Sequence, residues 1–223
     1  MYLPSHFAEK RPEVLQALMR AHPLATIVAM TADGLVANHI PLMYFPEPGT
    51  GASAAAGAPL LGRLQGHVAR ANPLWRETDT SVEVLAIFQG PQAYISPAWY
   101  PGKREHGKVV PTWNYAVVHA RGTLRIIDDP AWVHGLVTRL TQEHEAPRPE
   151  PWAVTDAPAD YIAKTLQAIV GIELQVTRLL GKWKTSGNQP AANRQGAAQA
   201  LAAGSTEAQR EMAALVAAHD RES

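Results

Sequence analysis

Four stretches of this chain mix amides, imidazoles, hydroxyls and aromatic rings more densely than plain strands or loops need. They are Ala37-Asn38-His39-Ile40-Pro41-Leu42, Gly66-His67-Val68-Ala69-Arg70-Ala71-Asn72-Pro73, Ser96-Pro97-Ala98-Trp99-Tyr100-Pro101 and Val110-Pro111-Thr112-Trp113-Asn114-Tyr115. Cations stand at Arg70, Lys103, Lys182 and Lys184. Side chains of these types can hold a ligand by charge-assisted hydrogen bonds, amide contacts and an apolar floor. Other chemistries are excluded or unsupported. The absence of cysteine removes disulfides, thiolate zinc sites, iron–sulfur ligation by cysteine and thiol nucleophiles. The nine histidines are scattered singly, with no HExxH pair, and no G-x-S-x-G elbow occurs. Gly49 to Gly57 has neither the spacing nor the strand–helix context of a phosphate-binding loop.

The elements that must position these residues are mostly strands. Pro12 suits a first helical turn, and Val14, Leu15, Leu18 and Met19 follow at helical spacing, which predicts a helix from Pro12 to Ala21. Leu24 to Met30, the hairpin signal Asp33-Gly34 and Leu35 to Phe45 read as a β-hairpin. Pro46 to Pro59, all small residues and proline but for one glutamate and a threonine, reads as a mobile solvated loop. Further strands are expected at Leu60 to Gly66, Val82 to Gln89, Gln92 to Ser96 and Trp113 to Ile127, with Gly90-Pro91 as a tight connection. Six strands at short spacing, without crossover helices, predict an antiparallel barrel.

Helices then take over. Asp129 caps a helix reaching about Glu143, with Trp132, Val133, Leu136, Val137 and Leu140 as its stripe, and the prolines of 146–151 end it. A second helix, Ala159 to Ile169, leads into a strand marked by Ile172, Leu174 and Val176. The alanine-rich tail after Gln189 reads as helical, with Thr206 and Gln209 at capping-box spacing and Met212, Leu215 and Val216 on one face, or else as a frayed extension. The expected fold is therefore α+β, mainly β with helices. Residues 1–186 are expected to form a six-stranded antiparallel barrel with associated helices, and residues 187–223 a helical extension.

The dense stretches, together with the start MYLPSHF, the stretch IVGIEL and Gly181-Lys182-Trp183-Lys184, resemble the PaiB-type FMN-binding negative transcriptional regulators over roughly Met1 to Arg194. The resemblance implies a split β-barrel related to the pyridoxamine-phosphate-oxidase-like flavoproteins, a homodimer, and FMN at the subunit interface. It makes Asn38, His39, His67, Arg70, Ser96, Trp113, Asn114, Lys182 and Lys184 the candidate cofactor-binding residues. In that setting Arg70, Lys182 and Lys184 supply charge for a phosphate, and His39, His67 and Ser96 supply hydrogen bonds to phosphate, ribityl or ring oxygens. Asn38 and Asn114 would fix the ring edge and Trp113 would wall it; each also has an ordinary role as structural histidine, cap or core aromatic. The family's Ser-Gln-Asn-Arg is replaced here by Ser186-Gly187-Asn188-Gln189, which removes a glutamine and an arginine.

Twenty basic residues balance twenty acidic ones, and no stretch approaches the roughly 20 apolar residues of a membrane span, so a cytoplasmic protein without a membrane is expected. The balanced charge and the lack of a basic recognition helix disfavour direct DNA binding. Three functions remain open: a flavin-dependent regulator acting indirectly, a flavin reductase or oxidase acting on a small molecule, and a flavin-binding module without turnover.

Overall fold

The computed structural model describes residues 1–46 and 61–218. Among them the chain runs β1 (Ala8–Glu9), α1 (Pro12–Ala21), β2 (Leu24–Thr31), β3 (Gly34–Pro41), β4 (Met43–Phe45), β5 (Arg63–Ala69), α2 (Leu74–Glu77) and β6 (Val84–Ile95). It continues through α3 (Gly102–Glu105), β7 (Thr112–Ile127), α4 (Pro130–Glu145), α5 (Ala159–Leu166), β8 (Ile169–Lys184), α6 (Ala191–Ala202) and α7 (Glu207–Ala218). The strands follow the order β3-β2-β6-β7-β8-β5-β4, with β1 added along β8. Two compact units divide the chain: residues 1–21, 89–118 and 180–223 form one, and residues 22–88 and 119–179 the other. The loop expected at Pro46 to Pro59 lies, apart from Pro46, outside the described residues.

The sheet has eight strands among the described residues, not the six expected. Gly90-Pro91 does not turn the chain: β6 runs through it. The glycine serves close approach instead, since a Cβ there would stand 2.8 Å from Leu18 Cδ1 and 3.1 Å from the Ala116 carbonyl. The strand expected over Leu35 to Phe45 breaks in two. Pro41 has no amide to donate and Leu42 gives its own to Pro23 O at 2.9 Å, after which β4 leaves β3 and pairs with β5. β8 is 16 residues long: it runs past the alternation at 172–176 to Lys184, where β1 pairs with it at Gly181 and Lys182, and residues 170–174 are buried on both faces.

In the first unit Leu15, Leu18 and Met19 of α1 are buried, as their spacing requires. Helices α6 and α7 bury Leu201, Met212 and Val216 in one cluster with Ala93, Ile95 and Tyr100. The start of α7 is fixed by a reciprocal capping box, Gln209 N to Thr206 Oγ1 and Thr206 N to Gln209 Oε1, both 3.2 Å. In the second unit the β2–β3 hairpin closes on Thr31 opposite Gly34. The turn therefore sits on Ala32-Asp33, one residue earlier than expected, and Gly34 takes the positive φ of 108° that follows it. Asp129 caps α4 by accepting from Ala131 N at 2.8 Å, and Val133, Leu136 and Leu140 are buried.

Candidate functional site

The nine candidate residues fall four in one unit and five in the other. In the unit of residues 22–88 and 119–179, His39 is exposed on β3, while Asn38 beside it accepts a hydrogen bond from Asn72 Nδ2 at 2.8 Å. Asn72 also caps α2 through Leu74 N at 2.9 Å. Arg70 follows β5 and is fully engaged: its Nη atoms donate to both Asp128 carboxylate oxygens at 2.8 and 2.5 Å and its Nε to Gln167 O at 2.7 Å. A guanidinium so paired has little charge left for a phosphate. His67 lies on β5, and its buried Nδ1 has no hydrogen-bond partner; burial holds the imidazole below its ordinary pKa.

Sequence reading missed a buried network on the same strand. Gln65 Nε2 donates to Glu173 at 2.7 Å, Arg125 reaches the other Glu173 oxygen at 2.9 Å, and Arg139 reaches Gln65 Oε1 at 3.3 Å. The available signal was a lone glutamate inside the apolar run IVGIEL, since a charge in such a run must be paired.

In the other unit the ends of three strands gather the remaining candidates. Ser96 follows β6 and its hydroxyl accepts from Ala98 N at 3.2 Å, capping the 3-10 turn Pro97–Trp99. Trp113 is 49% exposed near the start of β7. Its indole donates to Gln92 Oε1 at 3.0 Å and meets the equally exposed Tyr94 edge to face, with ring centres 6.2 Å apart. Asn114 is buried; its Nδ2 donates to Ser186 Oγ at 2.9 Å, and its Oδ1 has no partner.

Lys182 and Lys184 stand two apart on β8. Lys182 is 8% exposed, donates to Tyr2 O at 3.1 Å, and lies over the Tyr115 ring at 5.3 Å. Lys184 donates to Thr112 Oγ1 at 2.5 Å and Trp113 O at 2.8 Å. Burial holds the Lys184 amine below the ordinary lysine range, Tyr115 pulls it partly back, and the charge of Lys182 lowers it further. Neither lysine is ion-paired among the described residues, whereas the arginines at 11, 70, 125 and 148 each have a carboxylate.

This arrangement fits an anionic aromatic ligand. It offers two neighbouring ammonium groups without counter-charge, exposed rings at Tyr94 and Trp113, and a buried amide oxygen still lacking a donor. It contains no paired acid and base. What the structure defines is an antiparallel α+β fold in which two lysines without a carboxylate partner among the described residues and two exposed rings lie at the ends of neighbouring strands.

Comparison with known proteins makes that class specific. The chain belongs to the family described as "Putative FMN-binding domain", whose model matches residues 1–178, and FMN is the cofactor of that family. Protein AN0679 of Emericella nidulans is 32% identical over 227 residues, covering 88% of each chain. The Protease synthase and sporulation protein PAI 2 of Bacillus subtilis is 29% identical over 189 residues, covering 85% of this chain and 83% of its own. This kinship is of the PaiB type read from the sequence. Among solved structures, the flavocytochrome Anf3 of Azotobacter vinelandii superposes with a TM-score of 0.52 at 15% identity, over 79% of this chain and 69% of its own, a likeness of fold.

Proposed function

We propose that the chain is one subunit of a cytoplasmic, split-barrel homodimer that binds FMN and lowers transcription of its target genes indirectly. Lys182 and Lys184 receive the flavin phosphate, with the flavin-binding part spanning residues 1–186. The observation that carries the reading is the lysine pair itself: two adjacent, partly desolvated ammonium groups with no carboxylate partner among the described residues. Such a pair is unfavourable until an anion joins it, and a phosphate dianion is the charge it matches. Trp113 and Tyr94 offer the ring face, and Asn114 offers an acceptor. FMN, when bound, supplies the redox-active ring; the chain's own residues bind and orient it.

The regulatory part rests on kinship with PAI 2, and its indirectness on charge. The formal net charge is +0, so no net positive field draws DNA phosphates to the chain. The exposed Tyr94–Trp113 face favours one further reading, a flavin-dependent reductase or oxidase in which a small planar substrate stacks beside the flavin.

Purified protein tests these readings together. FMN titrated into it should bind one per subunit, sedimentation should give a dimer at micromolar concentration, and anisotropy with the upstream DNA at near-physiological salt should show no tight specific binding. A monomer without flavin affinity refutes the core of the proposal, and a nanomolar complex that survives competitor DNA refutes the indirect mechanism. Rapid anaerobic bleaching of the flavin by NAD(P)H would favour the oxidoreductase.

A further inference from the structure

Ser186 is the one non-glycine residue with a positive φ among the described residues, at 64°, and it is 2% exposed. The left-handed region costs a residue with a side chain on the order of 1 kcal/mol, and glycine, which avoids that cost, stands only one position later. The strain is repaid in position. The Ser186 hydroxyl accepts the bond from buried Asn114 Nδ2 at 2.9 Å, and it lies against the buried phenol of Tyr100, whose pKa burial raises and Ser186 partly lowers. Two residues before Ser186, the Lys184 amine holds Thr112 Oγ1 and Trp113 O, the residues just before Asn114. The end of β8 and the start of β7 are therefore tied twice, once through Lys184 and once through Ser186.

An untethered Lys184 would relieve both its desolvation and its repulsion from Lys182 by swinging its long stem into water. It stays instead beside a like charge. We propose that Ser186 is a positioning residue for the anion seat: its left-handed backbone and its bond to Asn114 keep Lys184 fixed next to Lys182 before any ligand arrives. The inference rests on the reading of the two lysines as the phosphate seat. It adds the device that holds them there, a preorganised pair of charges that need not be gathered at the moment of binding.

The test compares full-length S186G, which keeps the left-handed backbone without cost and loses the hydroxyl, with S186A, which loses the hydroxyl and keeps the strain. Two measurements are made on each: titration of the Lys184 amine by NMR in ligand-free protein, and FMN affinity by fluorescence quenching. S186G should keep a near-normal melting temperature, let Lys184 titrate closer to an ordinary lysine, and bind FMN at least fivefold more weakly; S186A should show the same two changes and melt lower. A Lys184 titration that does not move in S186G overturns the positioning role, whatever happens to FMN. If Lys184 moves in S186G while the unaltered protein has no affinity for FMN, the positioning role stands and the FMN reading falls.

Discussion

Replacing Lys184 by methionine separates a ligand-binding lysine from a structural one, because the two roles predict opposite balances of stability and affinity. Residues two apart on a strand are about 7 Å apart, so two ammonium groups at that separation repel by roughly 0.6 kcal/mol in water and 2.4 kcal/mol at an effective dielectric of about 20. Removing one charge returns an amount in that range. The same change gives up the bonds to Thr112 Oγ1 and Trp113 O, worth about 0.5–1.5 kcal/mol each. The two effects nearly cancel. The melting temperature of Lys184→Met should then stay within about 4 °C of the parent, since 1 kcal/mol shifts a chain of this size by about 2–4 °C. FMN affinity should behave differently, because a lost charge-assisted contact to phosphate costs about 1.5–3 kcal/mol, a weakening of roughly 10- to 150-fold. Fluorescence titration and a thermal melt on one preparation give both numbers. A clear loss of stability with unchanged affinity would show that Lys184 is a structural tie and refute the reasoning.

Other consequences follow from the same structure. Arg70→Gln should leave FMN affinity within about twofold and lower stability only modestly, because Asp128 is its partner and the pair is partly exposed; a loss of flavin affinity in a titration would return Arg70 to the cofactor. Gly122→Ala should destabilise the chain by more than about 3 kcal/mol or prevent folding, since its Cβ would collide with the Gln175 carbonyl oxygen, and a denaturant midpoint close to the parent's would contradict this. His67 has its folded pKa lowered by burial, so the unfolded chain binds the extra proton first. Stability is therefore full above the ordinary histidine range and falls as pH drops through it towards the folded value. Thermal melts from pH 8 down to pH 5 should show that loss, and His67→Gln should reduce it, His119, likewise lowered by burial, supplying the rest.

What could be read from the sequence was whatever depended on neighbours within a few residues. The amphipathic stripe of α1, the Asp129 cap and the Thr206–Gln209 box are local statements, and they stand where their spacing put them. The errors came from features whose meaning depends on distant chain. Gly90-Pro91 looks like a turn until Leu18 and Ala116 press on the glycine. β8 runs on through Thr177 to Lys184, where β1, from the start of the chain, pairs with Gly181 and Lys182. Arg70 and Lys184 are both cations in a polar stretch, and only the fold shows that one has met Asp128 while the other has met a second lysine.

On the proposed reading, that contrast is what singles out one pair of cations within a chain of zero formal charge. Cations with a carboxylate beside them are already neutral to an approaching phosphate. The ammonium pair on β8 is not, and it stands next to the exposed Trp113 through the bond from Lys184 to the Trp113 carbonyl. The family match ends at residue 178, whereas both lysines and Ser186 follow it. The matched region supplies most of the sheet, and the end of β8 beyond it carries both lysines. A truncation that kept the matched residues and removed 180–223 would take away both lysines and, with them, the α6–α7 cover over Ala93, Ile95 and Tyr100. For this reason binding should be tested by point substitutions in the full chain, where the fold and the charge can be changed one at a time.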